Sequence, residues 1–188
     1  MSAPRVAAVI GSPVAHSLSP AIHQAAFDSA RVNWAYTAFD VTDAAAALSA
    51  MRLLGLAGLS VTMPLKEDVA LAVDRLDPAA RVLHSVNTVS WDGDELVGSS
   101  TDGAGFVASL AAAGVEVDGA QISVIGAGGA ARSVIDALGR AGAADITVLN
   151  RTRERAEQAA SLSKAASVGI VSDVSRADIV INATSVGM

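Results

Sequence analysis

The sequence predicts an α/β protein of two domains, each wound from alternating strands and helices. Three observations predict it. Short apolar runs alternate with helical stretches from Val6 onward, the pattern of units that lay parallel strands side by side. Residues 121–152 read as strand, glycine turn, helix and strand, with Gly126, Gly128 and Ala131 at G-x-G-x-x-A spacing directly after the apolar run Ile122 to Ile125. The 188 residues are 52% hydrophobic but only 3% aromatic. A core of Ala, Val, Leu and Ile suits helices lying close on a parallel sheet. The second domain is therefore of the Rossmann type, and the first is a separate α/β domain.

In the first domain, Val6 to Ile10 is a strand, and Gly11-Ser12-Pro13 opens a loop through Ser17. Ser19 is suited to cap a helix with Pro20 at its first position, continuing from Ala21 to Ser29. Capping alone would account for Ser19, whereas Ser17 has no such local reason. Trp34 to Phe39 is a second strand, and Thr42 caps a helix from Asp43 to Leu54 that stops at Gly55. Leu59 to Val61 is a third strand running into Thr62-Met63-Pro64-Leu65-Lys66. Lys66 falls at a helix start, where the dipole disfavours its charge by about 0.3–1 kcal/mol when exposed. That position either lowers the ammonium pKa toward a range useful for proton exchange or simply leaves a solvated lysine. Asp77-Pro78 starts a short helix to Leu83, and Asn87 to Trp91 with Glu95 to Ser99 form a hairpin about Asp92-Gly93-Asp94. Asp102 either caps the helix Gly103 to Ala113 or serves chemistry. This places a first domain at 1–101, a linking helix at 102–118 and the Rossmann-type domain at 119–188.

In the second domain Gly126 permits the sharp turn, Gly128 lets a pyrophosphate approach the backbone, and Ala131 lets helix and strand pack closely. The helix from Ala130 to Arg140 aims its N-terminal N–H groups at the phosphates. A residue reading the ribose belongs about 20 positions on. The strand Ile146 to Leu149 ends there in Asn150-Arg151-Thr152, with no carboxylate. An arginine fork matches the 2′-phosphate of NADP in shape and charge, at roughly 1.5–3 kcal/mol for one charge-assisted bond. Arg153 and Arg155 add positive charge. Arg153 to Ser163 is a helix, Ser167 to Val171 a strand, and Ile179 to Asn182 a further strand delivering small polar residues at its carboxyl end.

Bulk properties exclude several classes of function. Thirteen basic against nineteen acidic residues give a formal charge of −6, with no basic run interleaved with aromatics, so nucleic acid is not an expected partner. The absence of cysteine removes disulfides, thiolate metal sites and cysteine nucleophiles. No signal-type segment or 18-residue apolar run is present, so the expectation is a cytoplasmic protein without membrane or metal, possible as a homodimer.

Seven blocks in order resemble the shikimate dehydrogenase family: GSPVAHSLSPAIH at 11–23, VTMPLKE at 61–67, SVNT at 85–88, TDGAGF at 101–106, GAGGAAR at 126–132, NRT at 150–152 and NATSVGM at 182–188. The resemblance implies NADPH-dependent reduction of 3-dehydroshikimate to shikimate, on the route to chorismate and the aromatic amino acids. It implies that Ser17 and Ser19 bind the substrate carboxylate, Thr62 and Asn87 its ring hydroxyls, and that Lys66 and Asp102 form the catalytic pair while touching substrate. It further implies that Gly126, Ala127, Gly128, Gly129 and Ala130, with Asn150, Arg151, Thr152 and Arg155, hold NADP. Ala183, Thr184 and Ser185 would line the groove near the nicotinamide.

Protonated Lys66 would stabilise charge developing on the carbonyl oxygen and donate its proton, the reverse holding in oxidation, while Asp102 orients the hydroxyl and the lysine. Ser60 and Ser100 stand where the family usually has asparagine, and His84 where it usually has glycine. Family members continue beyond NATSVGM, so the expectation is an incomplete version of the enzyme whose sheet has an unpaired edge. Two rival readings are a quinate/shikimate dehydrogenase using NAD, which Arg151 argues against, and a catalytically silent module retaining shikimate and nucleotide sites.

Overall fold

The computed structural model describes residues 3–184 and 186, so the Ser185 assignment lies outside the described residues. The chain divides into two compact units, 1–100 and 101–188.

The first unit runs β1 (Arg5–Gly11), α1 (Ser19–Ser29), β2 (Trp34–Asp40), α2 (Ala44–Leu54), β3 (Gly58–Val61), α3 (Lys66–Ala72), β4 (Arg75–Leu76), α4 (Pro78–Leu83), β5 (Thr88–Asp92) and β6 (Glu95–Ser99). Its six strands lie in the order β2-β1-β3-β5-β6-β4. β1 pairs in parallel with both β2 and β3, and the β5–β6 hairpin adds antiparallel to β3. The core joins Ala8 and Ile10 to Leu48 and Met51 of α2 and to Leu65 and Val69 around the start of α3. The two-residue β4 escapes sequence reading because it is too short for periodicity and exists through its pairing with β6.

The second unit runs α5 (Asp102–Ala112), β7 (Gln121–Ile125), α6 (Gly129–Arg140), β8 (Asp145–Leu149), α7 (Arg153–Ala160), β9 (Ala166–Val168), a 3₁₀ segment (Val171–Arg176) and β10 (Ile179–Asn182). Its sheet is parallel throughout, in the order β10-β7-β8-β9. Ile122, Val124, Ile146, Val148 and Ile181 meet Ala131, Ile135 and Leu138 of α6 and Ala156 and Ala159 of α7. Small helix residues at 131, 156 and 159 let the helices lie close to the strands. Among the described residues β10 pairs only with β7 and forms the sheet's edge.

Several local expectations are corrected. Ser19 is the first helical residue of α1, not its cap; Leu18 holds the cap position without a side-chain bond. Asp43, not Thr42, caps α2, its Oδ1 accepting from Ala46 N–H at 3.0 Å. Asp102 likewise does not cap its helix: it is the first residue of α5, after Thr101. The expected linking segment 102–118 is helical only to Ala112, and that helix lies on α6 within the second unit. α7 ends at Ala160, and the strand expected at 167–171 is Ala166–Val168, giving way to the 3₁₀ turn that Asp173 fastens by accepting from Ile170 N–H at 2.8 Å. No helix among the described residues is long and apolar enough to cross a membrane.

Candidate active site

In an open α/β sheet, ligands bind beyond the carboxyl ends of the strands, where the chain switches from building on one side of a strand to building on the other. Each unit has such a point. In the first unit it lies between β1 and β3, since β2 is laid on one side of β1 and β3 on the other.

At that point the backbones interlock. Thr62 N–H donates to the Ile10 carbonyl at 2.9 Å and Ser12 N–H to the Met63 carbonyl at 3.0 Å. A Cβ on Gly11 would collide with the Thr62 methyl and stand 2.7 Å from the Met63 carbonyl oxygen, so only glycine lets the two loops touch. The loop from Ser12 then turns through Ser17, whose N–H donates to the Val14 carbonyl at 2.9 Å and whose Oγ accepts from Ser19 N–H at 3.2 Å. Ser17 therefore has a local role that its sequence position did not reveal. Lys66 opens α3, and its carbonyl accepts from Val86 N–H at 2.9 Å. Because β5 runs against β3, Asn87, the residue just before β5, faces the end of β3, its carbonyl accepting from Val61 N–H at 2.7 Å. Thr62, Lys66 and Asn87 thus share one edge with the loop carrying Ser17 and Ser19. All five are half-buried, open enough to meet a small molecule.

Behind this edge lies a contact that no local pattern signals. The Tyr36 hydroxyl meets Ser60 Oγ at 2.6 Å, spanning from β2 to β3, and His23 of α1 stacks on the Tyr36 ring at 4.3 Å. Burial pushes the Tyr36 phenol up from its ordinary value, while the Ser60 hydroxyl works in the opposite direction.

In the second unit the switch point lies between β7 and β10. Gly126 follows β7 at φ +119, a conformation that side chains rarely adopt, and a Cβ there would stand 3.0 Å from the Ala183 carbonyl oxygen. Gly126 N–H donates to the Leu149 carbonyl at 2.8 Å, and Ala183 N–H to the Ile125 carbonyl at 2.8 Å. The turn is thereby fastened to β8 on one side and β10 on the other. Asn182 shapes the next bend: its Oδ1 accepts from Thr184 N–H at 3.0 Å and from Thr184 Oγ1 at 2.7 Å. Gly128 is extended at the cap position of α6, with open space where its Cβ would be and no side chain capping the first turn. Gly129 and Ala130 begin the helix. Uncapped N–H groups at a helix start beside a residue without a side chain fit the phosphates of a dinucleotide.

At the end of β8, Asn150 Nδ2 donates to the Thr152 carbonyl at 2.9 Å and holds a bend on which Arg151 is exposed. Arg153 is taken by Glu157 at 2.9 Å. Arg151 and Arg155, both exposed, make no ion pair among the described residues, so they are the cations offered at this strand end. Asp102 stands at the start of α5 in the same unit, half-buried.

The departures noted in sequence find structural places. Ser60 is the partner of Tyr36. His84 ends α4 in the left-handed conformation, at φ 47 and ψ 42, which explains why glycine would suit that position.

Comparison with known proteins agrees with both halves. Residues 9–89 match the family described as shikimate dehydrogenase substrate binding domain, and residues 109–187 match shikimate / quinate 5-dehydrogenase. The shikimate dehydrogenase (NADP(+)) of Geobacter metallireducens is 41% identical over 98% of this chain, which spans 70% of that relative's length. The crystal structure of shikimate dehydrogenase from Aquifex aeolicus superposes with a TM-score of 0.90 at 34% identity, over 98% of this chain and 70% of that one. The Thermus thermophilus enzyme in complex with NADP(H) and shikimate gives a TM-score of 0.88 at 36% identity, over 96% of this chain and 68% of that one. With both parts of the chain matched and the fold shared, the chain belongs to the shikimate dehydrogenase family.

Proposed function

We propose that this chain catalyses the reversible NADP-dependent oxidation of shikimate to 3-dehydroshikimate. The observation that carries the reading is the gathering of Thr62, Lys66, Asn87 and the Ser17 loop at the switch point of the first sheet. Those residue types suit a small polyhydroxylated acid: hydroxyls and an amide for ring hydroxyls, and the Ser17 and Ser19 hydroxyls for a carboxylate.

Bound NADP supplies the hydride acceptor in oxidation. The protein's own task is then to hold the ring and take one proton. Neutral Lys66 accepts the proton of the reacting hydroxyl, and in reduction the ammonium returns it to the carbonyl oxygen. Asp102, three residues beyond β6 in sequence, orients that hydroxyl and the lysine. Gly126 to Ala130 cradle the pyrophosphate, Asn150, Arg151, Thr152 and Arg155 take the adenosine 2′-phosphate, and Ala183 to Ser185 border the nicotinamide. In this reading 1–101 is the substrate domain, 102–118 the connection and 119–188 the cofactor domain of a cytoplasmic enzyme, with a homodimer as the assembly to measure.

The test is nicotinamide absorbance with the purified chain, shikimate and NADP, alongside Lys66→Ala. Turnover that falls about 10²–10⁴-fold in the variant, the range for losing a positioned acid–base group, is the expected result. Equal turnover in both proteins would remove Lys66 from the chemistry. Binding of shikimate and NADP without any turnover would make the chain the silent binding module.

A further inference from the structure

We propose that Ser133 is a positioning residue for Asp102, holding the start of the helix on which that carboxylate stands. The inference rests on the reading of Asp102 as a catalytic residue. α5 begins at Asp102, and Thr101 before it offers no side-chain cap. The N–H groups of a helix's first turn have no partner within the helix. One of them, Gly103 N–H, is taken up by the other helix of the pair: it donates to Ser133 Oγ at 2.8 Å, in a buried contact. Ser133 is 3% exposed, in the middle of α6.

The fit around this bond leaves little freedom. Gly103 is buried, and a Cβ on it would run into the Ser133 carbonyl and stand 2.8 Å from Ala137 Cβ. The backbone of α5 therefore rests directly on α6 one residue after Asp102. α6 is itself fixed, with Ala131, Ile135 and Leu138 fully buried in the core of the unit. It is also the helix that opens from the Gly126–Gly128 turn. Ser133 thus ties the backbone that carries the carboxylate to the helix whose start faces the dinucleotide. The bond from the neighbouring helix and the close seat of Gly103 on Ser133 and Ala137 together hold the first turn of α5 against α6.

The experiment is Ser133→Ala in the full chain, which removes one oxygen and adds no bulk. Amide exchange followed by NMR should quicken about tenfold at Gly103 while the amides of β7 and β8 hold their rates, in proportion to the loss of one helix cap. The kcat for NADP-dependent shikimate oxidation should fall about tenfold, and the NADP dissociation constant from a fluorescence titration should stay within twofold. Unchanged exchange at Gly103 overturns the inference whether or not the chain turns over. Quickened exchange with unaltered kcat overturns it as well, and so does a fall in kcat matched by an equal fall in NADP affinity, since that would mark general loosening of the unit. A wild-type chain that binds shikimate but does not oxidise it counts against the dehydrogenase reading instead, and shikimate affinity by calorimetry then takes the place of kcat, with the same tenfold loss expected.

Discussion

The switch points of the two sheets solve the same topological problem with opposite materials. In both units the first strand is flanked by parallel neighbours on either side, and a glycine at or just after its end touches the loop from the neighbour across the switch. After Gly11 the chain spends seven residues, Ser12 to Leu18, before its helix starts; after Gly126 it spends two, Ala127 and Gly128. The long loop and its neighbours display side chains: Ser17, Ser19, Thr62, Lys66 and Asn87. The short one displays backbone, with the uncapped start of α6 and an open space at Gly128. A pocket of side chains can distinguish the hydroxyls of a small ring, whereas a cradle of N–H groups answers to any phosphate and leaves discrimination to a residue elsewhere, the role proposed above for Arg151.

That contrast breaks most sharply at the two glycines. Gly126→Ala forces a side chain into φ +119 and toward the Ala183 carbonyl, so the turn must shift and the cradle with it. Strain of about 1–3 kcal/mol at such a position predicts NADP binding weaker by roughly ten- to a hundredfold, with shikimate binding unchanged, by titration of each ligand. Gly11→Ala should do something different. The new methyl meets the Thr62 methyl and the Met63 carbonyl in the middle of a buried strand end, so the expected loss is about 1–3 kcal/mol of stability in denaturant unfolding, together with weaker shikimate binding. If each alanine impaired both ligands equally, the division of labour between the two edges would be wrong.

Discrimination between cofactors sharpens the comparison from the other side. Arg151→Ala removes an exposed cation from the end of β8 and leaves the bend there intact, because Asn150 Nδ2 holds that bend on the Thr152 carbonyl. The expected effect is a ten- to hundredfold loss of affinity for NADP with little change for NAD, the scale of about 1.5–3 kcal/mol for a charge-assisted bond. Arg153→Ala is the control, since that side chain is already occupied by Glu157 at 2.9 Å. An equal loss for both variants would assign the phosphate to the general positive charge of the segment instead of to Arg151.

What could be read from the sequence follows the same division. The second edge is built from backbone geometry, which demands glycine and alanine at fixed spacing, so Gly126, Gly128 and Ala131 announced themselves. The helix start at Lys66, the cap at Asp77 and the hairpin about Gly93 were legible for the same reason, since each is a local requirement. Ser19 and Asp102 misled because a polar residue just before or within a helix's first turn looks like a cap; in the structure both are first helical residues. Bonds that cross between elements left no trace in the one-dimensional pattern. Gly103 to Ser133 joins residues 30 apart and Tyr36 to Ser60 residues 24 apart, and neither partner has a local feature that names the other.

The smallest effect expected concerns that second bond and belongs to the first unit alone, because Tyr36 is the chain's single tyrosine. Burial disfavours the charged phenolate, so the folded protein holds the phenolic proton more tightly than the unfolded chain does. The corresponding stability is complete below the unfolded value of about 10 and is lost as the pH rises from there through the higher folded value. Tyrosinate absorbance should therefore titrate above pH 10 in the native protein, with the unfolding free energy declining over that same range. Ser60→Ala removes the hydroxyl that can turn to donate to the phenolate, and should move the titration further upward; a downward movement would mean that Ser60 favours the neutral phenol instead.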